Sequence, residues 1–235
     1  MQPATDAIRG GGAGGRPRVS ICRKWLLAAL ASACVLATAA EDARAHPHVW
    51  VRMKSELVFA ADGAVTGIRH AWTFDDMYSA FAVQGLAHKK EGEFSRAELA
   101  SLAEVNVTSL KEYGYFTRAR LNGKNLPISD PVDYWLGYGD SVLTLHFTLP
   151  FKAPAAVKHL SFEIYDPTWF VDFSFADTEP VALPGAPQGC RLDVQRPTGL
   201  TVAQGQQLSE AFFNSLAVTS SFGAQFANKV LVQCP

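Results

Sequence analysis

Residues 48–60 alternate between the two sides of an extended chain. Val49, Val51, Met53, Leu57 and Phe59 share one face, and His48, Arg52, Lys54 and Glu56 share the other. This period of two is that of a half-buried strand. Asp62-Gly63 is a hairpin turn signal, and residues 65–74 read as the returning strand. Residues 77–90 have helix-compatible composition. Ser95-Arg96-Ala97-Glu98 forms a capping box ahead of Leu99, Leu102, Val105 and Leu110, which predicts a helix over 96–112 closed by Gly114. Beyond it the pattern turns mainly to strands. These are 115–121 and 124–128 about the turn Asn122-Gly123, 134–138 and 142–149 about Gly139-Asp140, and 159–165 and 169–175 about Asp166-Pro167. Residues 180–189 are rich in Pro and Gly and read as a loop. Residues 191–195 read as a strand, 204–216 as a helix and 226–232 as a last strand. The expected class is α+β: an antiparallel β-sheet or sandwich, with one or two helices inserted after the N-terminal hairpin and a helix near the C-terminus.

The first 45 residues follow a different rule. Arg16, Arg18, Arg23 and Lys24 precede an apolar, small-residue run over 25–40, and Ala43-Arg44-Ala45 follows. Basic, apolar, then A-x-A is the order of a secretory signal peptide. The run is shorter than the roughly 20 residues that span a bilayer. The expectation is a signal peptide over 1–45, cleaved after Ala45, and one exported α+β domain over 46–235 that is periplasmic and not itself transmembrane after processing. An uncleaved membrane anchor, or a lipoprotein attached through Cys34, are the competing readings. Cleavage removes six basic and three acidic residues, leaving 15 and 19 and a net charge of −4. No basic patch marks a nucleic-acid partner. Of the four cysteines, Cys190 and Cys234 lie in the exported part. An oxidising compartment favours a disulfide between them over a metal-thiolate pair.

Candidate chemistry gathers first at His46-Pro47-His48-Val49-Trp50-Val51. Two histidines at i and i+2 of a strand point the same way, and imidazole suits Zn, Ni, Co and Cu. With His46 as residue one, its α-amine and imidazole together with a second imidazole would make a copper-binding histidine brace; a solvated leader to the strand is the plain alternative. Asp75 and Asp76 sit where the second strand ends, as metal ligands or as helix caps. Asp166 opens an Asp-Pro turn. His70 and His146 are possible additional ligands. So is Asp172, which lies between large apolar neighbours and is otherwise exposed or paired with an arginine such as Arg118 or Arg120. No nucleophile elbow, phosphate-binding loop, dinucleotide fingerprint or H-E-x-x-H is present. The expectation is that the protein is not an enzyme.

The segments His46-Pro47-His48-Val49-Trp50-Val51, Trp72-Thr73-Phe74-Asp75-Asp76 and Tyr165-Asp166-Pro167-Thr168-Trp169-Phe170-Val171 occur in the order seen in the DUF1007 family of exported bacterial proteins, which this chain resembles. Members often carry Tyr in place of Trp169 and Glu in place of Asp76, changes that keep the chemical type. The resemblance implies a periplasmic component of an ABC-type transport system and a link with nickel/cobalt-type metal transporters. Together these readings predict a binder of a divalent transition metal (Zn, Ni, Co or Cu), accessory to an inner-membrane metal transporter. His46 and His48 would be its primary ligands, with Asp75, Asp76 or Asp166 completing the shell. The alternatives are a metal-free module whose exposed aromatics (Trp50, Trp135, Tyr138, Trp169) dock a membrane transporter, and a histidine-brace copper protein.

Overall fold

The computed structural model describes residues 47–87, 92–199, 212, 215–216 and 221–235. The alternating segment forms strand β1 (Val49–Phe59), and the hairpin at Gly63 (φ 82°) returns it as β2 (Val65–Phe74). Val51, Met53 and Leu57 of β1 are buried, as are Ile68 and Trp72 of β2. Each such apolar side chain removed from water contributes about 1.5–3 kcal/mol. Two helices follow, α1 (Asp76–Ala82) and α2 (Ala100–Leu110). Then come β3 (Thr117–Leu121), β4 (Lys124–Leu126), β5 (Val132–Gly139), β6 (Val142–Ala155), β7 (His159–Ile164), β8 (Val171–Phe175), β9 (Val181–Ala182), β10 (Arg191–Gln195) and β11 (Asn228–Gln233).

The strands make two sheets. One has six strands in the order β5-β6-β2-β1-β8, with β9 also paired to β1; the other has five in the order β10-β11-β7-β3-β4. One apolar core takes residues from both: Met53, Trp72, Leu145 and Phe147 from the first, Ala119, Phe162 and Val230 from the second, and Leu99 and Ala103 from the region of α2. This is a mixed α+β fold dominated by its sheets.

Several boundaries differ from the sequence pattern, each for a visible reason. The capping box is formed, with Ser95 N–H and Oγ both donating to Glu98, yet regular helix begins only at Ala100. That helix tightens into a 3-10 turn (Lys111–Phe116) and ends with Gly114, Tyr115 and Phe116 all at positive φ (58°, 55° and 49°). Helix α1 covers a fraction of 77–90, because Val83 caps it. Phe226 belongs to a 3-10 turn (Phe222–Phe226), so the last strand starts at Asn228. The proline- and glycine-rich 180–189 segment contains β9, which runs parallel to β1. The pairing of β1 with β8 is also parallel, Val49 opposite Val171. The two strands flanking Asp166-Pro167 lie in different sheets, because the chain crosses between layers there. The helix expected over 204–216 falls almost wholly outside the described residues, as does the segment 1–45.

Cys190 and Cys234 are joined, with Cα atoms 4.1 Å apart at a sequence separation of 44. The bond ties the start of β10 to the end of β11. In the chain-entropy view it limits the unfolded ensemble. Cys190→Ser/Cys234→Ser should lower unfolding free energy by about 2–4 kcal/mol, read from urea denaturation of the oxidised wild type against the variant. An unchanged midpoint would remove the bond from the list of stabilising features.

Candidate functional site

The first and last residues of β1 and β2 bring two of the three motifs into hydrogen-bond contact. The ladder between these strands runs out at Val51 opposite Phe74. Beyond it the Trp50 N–H donates to Asp75 Oδ2 (2.9 Å), and the Asp75 N–H donates to the Trp50 carbonyl (3.0 Å). The third motif arrives through the parallel neighbour, for the His48 N–H donates to the Phe170 carbonyl (2.9 Å). The rings of His48 and Phe170 lie 4.7 Å apart. Segments distant in sequence therefore meet at one end of the six-stranded sheet.

The carboxylates there are largely committed to backbone. Asp75 Oδ1 accepts from the Tyr78 N–H (2.7 Å), the N-cap of α1, while its Oδ2 holds Trp50. Asp76 is exposed and its Oδ1 accepts from the Met77 N–H. Asp166 is buried, at 3 % exposure. Its Oδ1 accepts from the Thr168 N–H and the Thr168 hydroxyl (2.8 Å each), and its Oδ2 accepts from the Val171 N–H (3.0 Å). The Asx-turn reading of Asp166 is therefore correct as far as it goes: the side chain shapes the crossover. It holds Trp169 at a φ of 56°, a left-handed conformation that costs a non-glycine residue about 1–3 kcal/mol unless the surroundings impose it. Further support comes from the Gly223 N–H, which donates to the Pro167 carbonyl.

Of the additional candidates, His70 and His146 lie away from this end, and Asp172 lies at it, on the parallel neighbour. His70 is in the core at 0 % exposure, its Nδ1 2.9 Å from the Ser55 hydroxyl and its ring against Trp72 and Phe147. Burial pushes its pKa down from 6.5 to about 3, so the neutral form is the folded form. On β6, His146 stacks on Trp135 with ring centroids 3.8 Å apart, and the Arg96 guanidinium lies 3.3 Å from the same indole centroid. Burial and then Arg96 lower its pKa. Asp172 sits on β8 opposite Trp50, half-buried, and burial raises its pKa. The proposed arginine partners lie elsewhere: Arg118 covers the Tyr165 ring at 4.3 Å, and Arg120 pairs along β3 with Asn125 and Ser161. Among the described residues no three His, Cys, Asp or Glu side chains group closely enough to hold an ion. His46, the first ligand expected, lies outside the described residues.

Sequence pattern did not single out the apolar surface around this end. Trp50 and Phe170 are about half exposed, and Met77 and Phe81, four residues apart on one face of α1, are largely exposed. Of the four aromatics expected to be exposed, Trp50 is so placed. Trp135, Tyr138 and Trp169 are half-buried, against His146, Phe94 and Phe226 respectively. The i,i+4 spacing of Met77 and Phe81 was the available signal.

Two outcomes are expected from this geometry. A Cβ at Gly223 would lie 1.7 Å from the Asp166 carbonyl oxygen, so Gly223→Ala should displace the crossover and destabilise by about 1–3 kcal/mol, with a matching rise in proteolytic cleavage near Trp169. His70 makes folding acid-sensitive. Below about pH 6.5 the unfolded chain takes up a proton that the folded chain refuses until about pH 3. This contribution is therefore intact above pH 6.5 and is lost as the pH falls through that window, by about 1.4 kcal/mol per pH unit. Urea midpoints of wild type and His70→Leu, compared at about pH 7.5 and about pH 5, should show wild type losing stability relative to the variant as the pH falls; parallel curves would contradict the assignment.

Comparison with known proteins adds kinship. An uncharacterized 15.5 kDa protein from the trpE 3' region of Spirochaeta aurantia is 35 % identical over 98 residues, 39 % of this chain and 66 % of that protein. An uncharacterized protein of Haemophilus influenzae is 22 % identical over 200 residues, 81 % of this chain and 91 % of its own. Among solved structures, the acetylcholine-binding protein type 1 of Biomphalaria glabrata covers 80 % of this chain and 86 % of its own at 10 % identity, and its TM-score of 0.30 is too low to inform fold or function. The model of the family described as "Protein of unknown function (DUF1007)" matches residues 31–234, and the chain belongs to that family.

Proposed function

We propose that the protein is a periplasmic accessory protein that binds a divalent transition metal on behalf of an inner-membrane metal transporter. The observation that carries this reading is the meeting at one sheet end of the strand into which His46 and His48 lead, the Asp75-Asp76 turn and the Phe170 segment. It rests on the bonds from Trp50 to Asp75 and from His48 to Phe170. Imidazole and carboxylate together suit Zn, Ni, Co and Cu. Asp75 and Asp166 already accept hydrogen bonds from backbone, which leaves His46 and His48 as the primary ligands of this reading and Asp76 as the exposed carboxylate of the set. The signal-peptide pattern over 1–45 supports export, and the Cys190–Cys234 bond agrees with an oxidising compartment.

A second reading is favoured by a separate observation. Trp50, Met77, Phe81 and Phe170 are exposed apolar side chains on the elements that meet at this end, which suits a metal-free module that docks a membrane partner.

Mass spectrometry of the secreted protein should find His46 as residue one. Calorimetric titration with Zn, Ni, Co and Cu should show one-site binding that His46→Ala/His48→Ala weakens by about tenfold or more. Equal binding by wild type and variant would remove the histidines as ligands. Absence of binding in both would leave the docking reading.

A further inference from the structure

Beside this sheet end lies a cleft of about 430 Å³, within the size range of small-molecule sites. One wall comes from the end of α2 and the left-handed turn after it, which supply Leu110, Tyr113 and Phe116; the other comes from the crossover, which supplies Asp166, Thr168 and Phe170. Tyr113 and Phe116 stack with centroids 5.2 Å apart. Both walls carry residues held at positive φ, Tyr115 and Phe116 on one side and Trp169 on the other.

Among the described residues of this lining, Asp166 is the charged group. The groups that donate to it are neutral: two backbone amides and one hydroxyl. Among the described residues the ion pairs are Arg52–Asp177, Arg69–Glu56, Lys111–Asp130 and Lys229–Glu163, and none involves Asp166. A carboxylate out of water with no counter-charge makes its surroundings negative, and aromatic ring faces add to that field. A carboxylate offers about four acceptor sites. Three are in use, and the one that remains is on Oδ2.

We propose that this cleft binds a small organic cation, a primary ammonium carried on an apolar body. The ammonium would complete the Asp166 hydrogen bonding and lie against the ring faces, while the body fills the apolar walls. A bare metal ion is served less well, because a single buried carboxylate with hydroxyl neighbours supplies too few donors. A neutral apolar guest would leave the charge unanswered.

The test is calorimetric titration of the processed protein, in EDTA so that metal binding does not contribute, with 2-phenylethylammonium and with its neutral counterpart 2-phenylethanol. The expected result is saturable one-site binding of the amine with a Kd of about 1 mM or tighter, and binding of the alcohol weaker by about fivefold or more. Phe170→Ala should weaken the amine by about fivefold or more, and because that ring is about half exposed, the urea midpoint of the variant is read alongside to show that it is folded under the titration conditions. Equal binding of amine and alcohol, no saturable binding of the amine, or undiminished binding by Phe170→Ala would each overturn the proposal. A buried tyrosine or phenylalanine variant is avoided, so that misfolding cannot imitate loss of binding.

Discussion

Strand β1 is hydrogen-bonded along both of its edges, to β2 in one direction and to β8 in the other. A backbone group left without a partner in the interior costs about 1–3 kcal/mol, so a strand placed at the middle of a sheet fixes the position of whatever flanks it. Here it fixes the turn after β2 and the crossover before β8. Where the ladder ends, a side chain takes over from a backbone carbonyl: Asp75 receives the Trp50 N–H and at the same time caps α1. One carboxylate thereby joins a strand end to a helix start.

Much of this was legible from residue pattern. The period-two alternation from Val49 to Phe59, the glycine turns at Gly63 and Gly123, and the Ser95–Glu98 box all act within a few residues, and all three formed. Parallel pairing of Val49 with Val171 leaves no local trace, because it depends on which layer each strand enters after the crossover. The same limit applies to His70. Its neighbours on β2 alternate correctly, which places it on the inward face, but only the facing Ser55 shows that its Nδ1 is met by a core hydrogen bond, while its Nε2 is buried without one. Asp172 could not be assigned an arginine from sequence, because Arg118 and Arg120 belong to the other sheet.

Asp166 shows how one residue serves both architecture and chemistry. Its three short bonds hold a strained crossover, and the residue that follows the turn, Trp169, packs on Phe226 at 4.7 Å, tying the loop to the last strand region. Because the donors are all neutral, the loop is stabilised without the charge being cancelled. A lysine or arginine at the same place would have made an ordinary ion pair and a chemically silent turn.

The parallel pairing of β1 has a consequence for how the chain matures. Until residues 171–175 have been made and delivered, the β8 edge of β1 is an open row of donors and acceptors beside an apolar face. Such an edge is a template for pairing with a neighbouring molecule, and contacts that join distant parts of a chain form slowly. A chain whose β1 has not yet paired along that edge is therefore the form most open to association with its neighbours.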